Sequence, residues 1–224
     1  MSQGIDPNSL PYVPYVAYNG SGPTGGDSLH DNLNIYYESG DVAWMITSTA
    51  LVLLMIPDVK SLLLLRPRVT KVCAFADMAF GDGNGSHELP VVFLGYSLTF
   101  SHQAGNFIGA LDNSGYMNVL AQPSVGSPRI PDLLFAVYQG MFAAITVALT
   151  VGAVCERGRI LPCVIFMFIW STIVYDPIAC WTWNPHGWIF KLGGLDFAGG
   201  TPVHISSGAA ALAYSYVLGL CGQP

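Results

Sequence analysis

Apolar residues along this chain are collected into long runs that carry few charges. Leu133–Cys155 and Phe197–Cys221 contain no Asp, Glu, Lys or Arg, and each is long enough to cross a bilayer as a helix, which takes about 20 residues. Val42–Pro57 is uncharged but slightly short for a complete span, and Ile160–Trp183 has Asp176 as its only charge. These runs predict membrane helices near residues 42–57, 133–155, 160–183 and 201–220.

The polar stretches between these runs predict loops and an outer segment. Residues 1–41 contain turn-forming steps of Pro, Asn and Gly and no helical period, so they should form an irregular segment outside the membrane. Residues 103–131 are rich in Gly, Asn, Ser and Pro and should form a loop. The chain therefore divides into an N-terminal segment, residues 1–41, and a helical membrane domain, residues 42–224.

Residues 58–93 break this pattern. Leu62–Leu65 stands among Lys, Arg, Asp and Glu residues and three glycines, so no window here is apolar enough for a span. A helix that should lie near residues 70–100 cannot be found in this segment as written. Gly95–His102 is again mainly apolar.

The composition also indicates a membrane protein. Hydrophobic residues make up 52% of the chain and charged residues 10%, whereas a soluble domain has roughly 25% charged residues. The five cysteines show neither a C-x-x-C pair nor a Cys/His spacing suited to a metal, so we expect no metal and no cofactor. The chain has no basic stripe of the kind that binds nucleic acid. We predict an all-α fold, a bundle of transmembrane helices in a lipid bilayer.

Charge is distributed unevenly along the chain. Residues 1–41 hold five acidic residues and no Lys or Arg, whereas the short link at residues 156–159 contains Arg157 and Arg159. Because short cytoplasmic loops are enriched in Lys and Arg, we expect the N-terminus outside and this link in the cytosol. Asn19 begins an Asn-Gly-Ser sequon that would lie outside, and it is either a glycosylation site or a chance match.

Five longer motifs occur in the helical domain, at residues Gly95–His102, Tyr138–Phe142, Gly152–Arg157, Tyr175–Pro185 and Leu195–Ile205. In sequence and order they resemble the Amt/Mep/Rh family of ammonium transporters, in its fungal Mep-type form. The resemblance implies a multi-pass plasma-membrane protein with no enzymatic activity, whose substrates are ammonium, ammonia and methylammonium. The resemblance also implies that a full-length member has eleven spans and forms a homotrimer with a pore inside each subunit. This N-terminal part would then hold about five of the eleven spans.

The resemblance assigns three aromatic residues to the outer part of the pathway. Trp183 matches the ring that recruits the cation, and Tyr138 and Phe142 match the rings that line the vestibule and narrow the pore. An aromatic face attracts a partly dehydrated cation by about 0.5–2 kcal/mol, which suits ammonium. The alternative is an interfacial belt of aromatic residues, which we favour for Trp181 and Trp188 and disfavour for Trp183.

His204 and Asp196 complete the predicted site. A titratable group in an apolar run usually faces a cavity or the bundle interior, and the resemblance assigns His204 to the first of two pore histidines, the second of which is not in this chain. Burial should keep His204 neutral, so that it can pass on hydrogen bonds and protons. Asp196 should cap the last helix, and the resemblance adds that it orders the outer site and favours the cation.

Three other functions stay open at this point. Some relatives are sensors of external ammonium, and a truncated fragment of the family would have no function. An intramembrane hydrolase could combine His204 with Ser206 or Ser207, although no G-x-S-x-G elbow is present.

Two residues within the motifs depart from the family's pattern. Asp176 stands where a small uncharged residue is usual, and His186 stands where Asn is usual. A charge at Asp176, near the outer end of its helix, is tolerable if the side chain reaches water.

Residues 58–93 depart from the family's second helix throughout. When Leu62–Leu94 is back-translated into degenerate codons and read one nucleotide downstream, the triplets permit the family's turn and second helix in order, and Met78 with Ala79 forces a Trp. We interpret the segment as a pair of compensating frame errors, with a lineage-specific loop as the alternative. A second sequon, at Asn84, would then be an artefact.

Overall fold

The computed structural model describes residues 36–64, 89–151, 153 and 160–219. Within these ranges the regular elements are helices, accompanied by one isolated β-bridge between Pro123 and Pro131. A 3₁₀ turn, Ser114–Tyr116, lies in the long loop after the second helix. The helices are α1 (Ser39–Leu64), α2 (Leu89–Phe100), α3 (Asp132–Val151), α4 (Ile160–Trp170), α5 (Asp176–Trp183), α6 (Trp188–Lys191) and α7 (Ser206–Leu218).

The first two helices differ from the sequence-based expectation. Helix α1 does not end at Pro57 but continues to Leu64, since a proline in a membrane helix is tolerated where the freed backbone groups find other partners. Helix α2 begins at Leu89, inside the segment in which no element was predicted, because the chain from Leu89 to Phe100 is uncharged and apolar. Residues 65–88, most of the segment with the proposed frame errors, lie outside the described residues, as do both sequons.

In the part of the chain that the structure describes, two helical stretches are long and apolar enough to cross a membrane, Asp132–Thr150 and Leu161–Lys191, and Ser39–Met55 is apolar but shorter. The second stretch contains α4, α5 and α6. Both stretches overlap runs that the sequence predicts as spans.

The bundle is apolar outside and partly polar inside. Leu161, Ile165, Ile169 and Ile173 recur every fourth residue and are all exposed, so they form one apolar stripe along the helix. Interfaces between membrane helices favour small and hydroxyl-bearing residues, because these allow close approach and interhelical hydrogen bonds. The buried serines and threonines among the described residues are Ser97, Thr99, Ser101, Ser124, Thr146, Thr150, Ser171, Thr182, Ser206 and Ser207.

Two π-helical turns interrupt the helices close to prolines. Ser171–Tyr175 joins α4 to α5 just before Pro177, and Gly200–Ile205 precedes α7 and contains Pro202. Proline lacks an N–H group, so the regular α-helical ladder is broken there. Such wide turns occur frequently at functional sites.

One end of the bundle, here called the loop end, is covered by residues 103–131 and 184–199. The Asn184 side chain, just after α5, donates hydrogen bonds to the carbonyl oxygens of Thr99 (2.9 Å) and Ser101 (3.2 Å) at the end of α2. The Phe100 ring packs edge-on against Phe135 near the start of α3, with ring centroids 5.1 Å apart. Helices α2 and α5 therefore end where α3 begins, so α3 runs antiparallel to both.

Candidate functional site

Three aromatic rings pack together near the loop end and form the aromatic cluster. Tyr138 and Phe142, one turn apart on α3, lie with ring centroids 5.0 Å apart and an interplanar angle of 74°. Phe142 meets Trp183, at the end of α5, with centroids 5.9 Å apart and an angle of 72°. Edge-to-face packing of this kind stabilises aromatic pairs beyond their burial. The structure thus brings together the three rings singled out in the sequence.

Asp196 fixes the position of Trp183 and of the turn before α7. The indole N–H of Trp183 donates a hydrogen bond to the backbone carbonyl oxygen of Asp196 at 2.7 Å. The two carboxylate oxygens of Asp196 accept hydrogen bonds from the backbone N–H groups of Gly200 (2.7 Å) and Thr201 (2.6 Å). The predicted capping role of Asp196 is confirmed, and the carboxylate holds two N–H groups that the first helical turn leaves unpaired.

The capping geometry also sets the charge state of Asp196. Partial burial raises the pKa of its carboxyl, but the hydrogen bonds from Thr201 and Gly200 outweigh this effect and hold the pKa below its ordinary value. N–H donors bind the ionised form more strongly than the neutral form. Asp196 therefore places a negative charge beside the aromatic cluster.

Gly199 permits the close approach of these elements. Its φ is +77°, and a Cβ atom there would lie 2.6 Å from Val203 Cγ2 and 3.2 Å from Trp183 Cζ2. A side chain at this position would meet both steric crowding and an unfavourable backbone conformation. Glycine is therefore required where the chain passes Trp183.

His204 lies in the π-helical turn that follows Gly199. Its backbone N–H donates to the Gly199 carbonyl oxygen at 3.0 Å, and its side chain is exposed. No described residue covers this face of the turn, so the burial expected for His204 in a full-length protein would have to come from helices beyond this chain. Ile205, Leu212 and Tyr216 are exposed as well, by 66%, 72% and 86%.

A second aromatic group lies apart from the cluster. Trp181 donates from its indole N–H to the carbonyl oxygen of Phe107 at 2.7 Å. Its ring stands 5.2 Å from Phe107 and 5.8 Å from Trp188, centroid to centroid. Phe107 and Trp188 are 61% and 44% exposed, and this arrangement fits the interfacial belt expected for Trp181 and Trp188.

Asp176 does not meet the condition, given above, that its side chain reaches water. It is 1% exposed, and its Oδ1 would lie 3.1 Å from a Cβ atom on Gly95 of α2. Because Gly95 has no side chain, α2 and α5 approach each other closely here, and the Asp176 carboxylate is enclosed between them. His186, the other departure, lies on the surface and donates its backbone N–H to Asn184 Oδ1 at 2.9 Å.

Two buried polar residues of the loop end were missed in the sequence. Asp132 is fully buried and accepts hydrogen bonds from the Tyr96 hydroxyl and from Gln122 Nε2, the latter at 3.1 Å. Asn184 is also fully buried, whereas the sequence shows it only as part of a turn. The contacts of Asp132 with Tyr96 and of Asn184 with Thr99 join residues 36 and 85 positions apart, so no local signal reveals them. Among the described residues no group of three or more His, Cys, Asp or Glu side chains could hold a metal ion.

The chain is similar over most of its length to ammonium transporters. Residues 43–221 match the model of the Ammonium Transporter Family. Ammonium transporter 1 of Schizosaccharomyces pombe is 55% identical over 206 residues, which cover 89% of this chain and 40% of that protein.

Solved structures give the same result. Candida albicans Mep2 matches with 44% identity and a TM-score of 0.78, over 92% of this chain and 44% of that chain. Saccharomyces cerevisiae Mep2 matches with 42% identity and a TM-score of 0.77, over 95% and 47%. The chain thus spans less than half the length of these relatives. The predicted helical membrane fold and the resemblance to Mep-type transporters are confirmed. The chain belongs to the Ammonium Transporter Family.

Proposed function

We propose that this chain forms the first part of the conduction pathway of a full-length ammonium transporter. That protein captures NH₄⁺ at its outer face, removes a proton and conducts ammonia through a histidine-lined pore. The observation that carries the proposal is the packing of Trp183, Phe142 and Tyr138 into one cluster beside the ionised Asp196. Family membership and the names of the similar proteins support ammonium as the substrate.

Capture rests on the aromatic faces and on a nearby negative charge. Trp183 is half-buried, so its ring is held in place by Phe142 and still reaches the surface. Both carboxylate oxygens of Asp196 already accept backbone hydrogen bonds, so this residue attracts the cation through its field and need not bind it directly. An aromatic face then contributes about 0.5–2 kcal/mol to binding, and methylammonium would be accepted in the same way.

Deprotonation and conduction involve the exposed face of the turn before α7. His204 lies on this face, one turn beyond the glycine that contacts Trp183. In a full-length protein, helices beyond this chain would cover the face and enclose a pore, with a second histidine opposite His204. A neutral imidazole there can accept and donate hydrogen bonds without binding a hydrated metal cation.

The placement in the cell follows from the same proposal. We place the protein in the plasma membrane as a multi-pass protein with the N-terminus and the loop end outside, because Arg157 and Arg159 favour a cytosolic link. The full-length protein would be a homotrimer. The Ser206 and Ser207 hydroxyls donate to the backbone carbonyls of Pro202 and His204, which supports a transporter over a hydrolase.

Two alternatives remain as hypotheses, a sensor of external ammonium and a non-functional fragment. The similar proteins described above are named as transporters, or as Mep2, and this favours transport over sensing. The test is uptake of labelled methylammonium by a full-length protein carrying this chain, in a host without its own ammonium uptake. Saturable uptake that ammonium competes away is expected. Ammonium-dependent signalling without uptake would support the sensor, and neither activity would support the fragment.

A further inference from the structure

A small cavity lies between α2, α3 and the start of α5, apart from the aromatic cluster. Gly95, Thr99, Gln139 and Asp176 line it together with the aromatic residues Tyr96, Phe100, Tyr116 and Tyr175, and its volume is about 20 Å³. One water-sized molecule needs about 10–15 Å³. The cavity is therefore large enough for one such molecule.

Two hydrogen-bond acceptors of residues that line this cavity have no donor among the described residues. Asp176 Oδ2 and Gln139 Oε1 are both buried, and no described residue donates a hydrogen bond to either of them. Buried polar atoms are nearly always hydrogen-bonded. A molecule in the cavity that donates one hydrogen bond to each oxygen atom would satisfy both acceptors.

The charge of Asp176 narrows the choice of occupant. The carboxylate is 1% exposed, and helices α2, α3, α4 and α5 contain no Lys or Arg. An ionised carboxylate inside a membrane protein is costly unless a positive charge accompanies it. Aromatic rings around the cavity add a favourable surface for a small cation.

We propose that this cavity is a second binding site for one ammonium ion, held by Asp176 Oδ2 and Gln139 Oε1. Water has the right size and can donate to both oxygen atoms, whereas a monovalent cation with N–H donors would in addition balance the carboxylate in its ionised form. None of the aromatic cluster lines the cavity, so the site is distinct from the capture site. The choice of ammonium among monovalent cations rests on the proposed function.

Thallium(I) tests the site because it is a monovalent cation close to ammonium in size and scatters X-rays anomalously. Crystals of the full-length protein carrying this chain are soaked in a thallium(I) salt, with and without competing ammonium or sodium. We expect an anomalous peak between Asp176 and Gln139 that ammonium removes and an equal concentration of sodium leaves in place. No peak at saturating thallium, or displacement by sodium as effective as by ammonium, overturns the proposal.

Matched variants separate the role of the carboxylate from general effects of charge. Asp176→Asn keeps the shape and should abolish the peak, whereas Asp112→Asn removes a charge in the loop and should leave it unchanged. Gln139→Met removes the second acceptor without changing the charge and should weaken the peak. This variant tests the site if Asp176→Asn fails to fold. A peak of unchanged height in Asp176→Asn contradicts the site. If Asp176→Asn does not fold, a peak of unchanged height in Gln139→Met contradicts it instead.

Methylammonium uptake by the same protein separates this inference from the proposed function. Uptake without a thallium peak overturns the second site and leaves transport standing. A peak without uptake leaves the site standing and counts against transport.

Discussion

The indole nitrogen of Trp183 lies 2.7 Å from the backbone carbonyl oxygen of Asp196, to which it donates a hydrogen bond. The carboxylate of Asp196 caps the turn that carries His204, through Gly200 and Thr201. A single residue thus connects the end of α5 with the turn before α7. Asp196 therefore fixes the position of the Trp183 ring relative to the turn that carries His204.

Replacing Asp196 with Ala should destabilise the full-length protein by about 0.5–2 kcal/mol, because two backbone N–H groups lose their acceptor. Asp196→Asn keeps one acceptor oxygen and should lose less. Thermal unfolding of the purified protein in detergent measures both. Equal unfolding temperatures for the wild type and both variants would contradict the capping role.

The contribution of Asp196 to stability should depend on pH. Its folded pKa is lowered, so the contribution is fully present above the unfolded pKa, near 4, and is lost as the pH falls through the lower folded value. The difference in unfolding temperature between the wild type and Asp196→Ala should be constant from about pH 5 to 8 and shrink below about pH 4. A difference that grows on acidification would show that the sign is wrong.

Trp183→Ala should weaken ammonium recruitment without abolishing folding. Loss of about 0.5–2 kcal/mol of cation–π attraction corresponds to an apparent KM for methylammonium about 2- to 30-fold higher. Trp181→Ala is the matched control, because this ring belongs to the second aromatic group, and its KM should stay near that of the wild type. An unchanged concentration dependence in Trp183→Ala would remove this ring from the capture site.

Gly199→Ala should be destabilising by about 1–3 kcal/mol, the cost of a strained left-handed residue to which crowding against Val203 and Trp183 is added. Gly40→Ala, in the first turn of α1, is the control, since a Cβ atom there meets nothing within 4 Å. Helical Ala is better tolerated than Gly, so this variant should unfold at the same or a higher temperature. Similar unfolding temperatures for the two variants would refute the steric argument.

His204→Ala, in a frame-repaired full-length protein, should change the uptake rate or the selectivity against alkali cations more than it changes expression. The physical reason is loss of the imidazole that passes on hydrogen bonds in the pore. Uptake and competition by potassium measure the effect, with immunoblots for expression and Ile165→Ala, in the exposed apolar stripe of α4, as the control. Normal uptake with normal selectivity would exclude His204 from the pore.

The 224-residue chain alone should not support growth on limiting ammonium. Each centrally placed charge of residues 58–93 would cost about 2.5–3.5 kcal/mol in a bilayer, and the face of α7 that holds Tyr216 lacks a covering helix among the described residues. The chain, a frame-repaired chain and a frame-repaired full-length protein are compared in cells without ammonium uptake. Growth only with the third supports both arguments, and growth with the first refutes the prediction.

The sequence alone determined the features that depend on neighbouring residues. The runs without charges predicted the helices that begin at Asp132 and Ile160. In a membrane every consecutive backbone group must be hydrogen-bonded within its own segment, so an uninterrupted apolar run is enough to predict a helix. The Asp196 cap was equally visible, because its partners Gly200 and Thr201 follow within five residues. The motif positions identified the three rings of the aromatic cluster, although not their contacts.

Only the tertiary structure decided which residues are enclosed and by what. Asp176 looked able to reach water from its helix end, and it is buried because Gly95, on another helix, has no side chain. His204 looked buried in an apolar run, yet the described residues leave it exposed. Burial is a property of the neighbours that pack against a residue, and those neighbours lie far away along the chain, where hydrophobic periodicity carries no information about them.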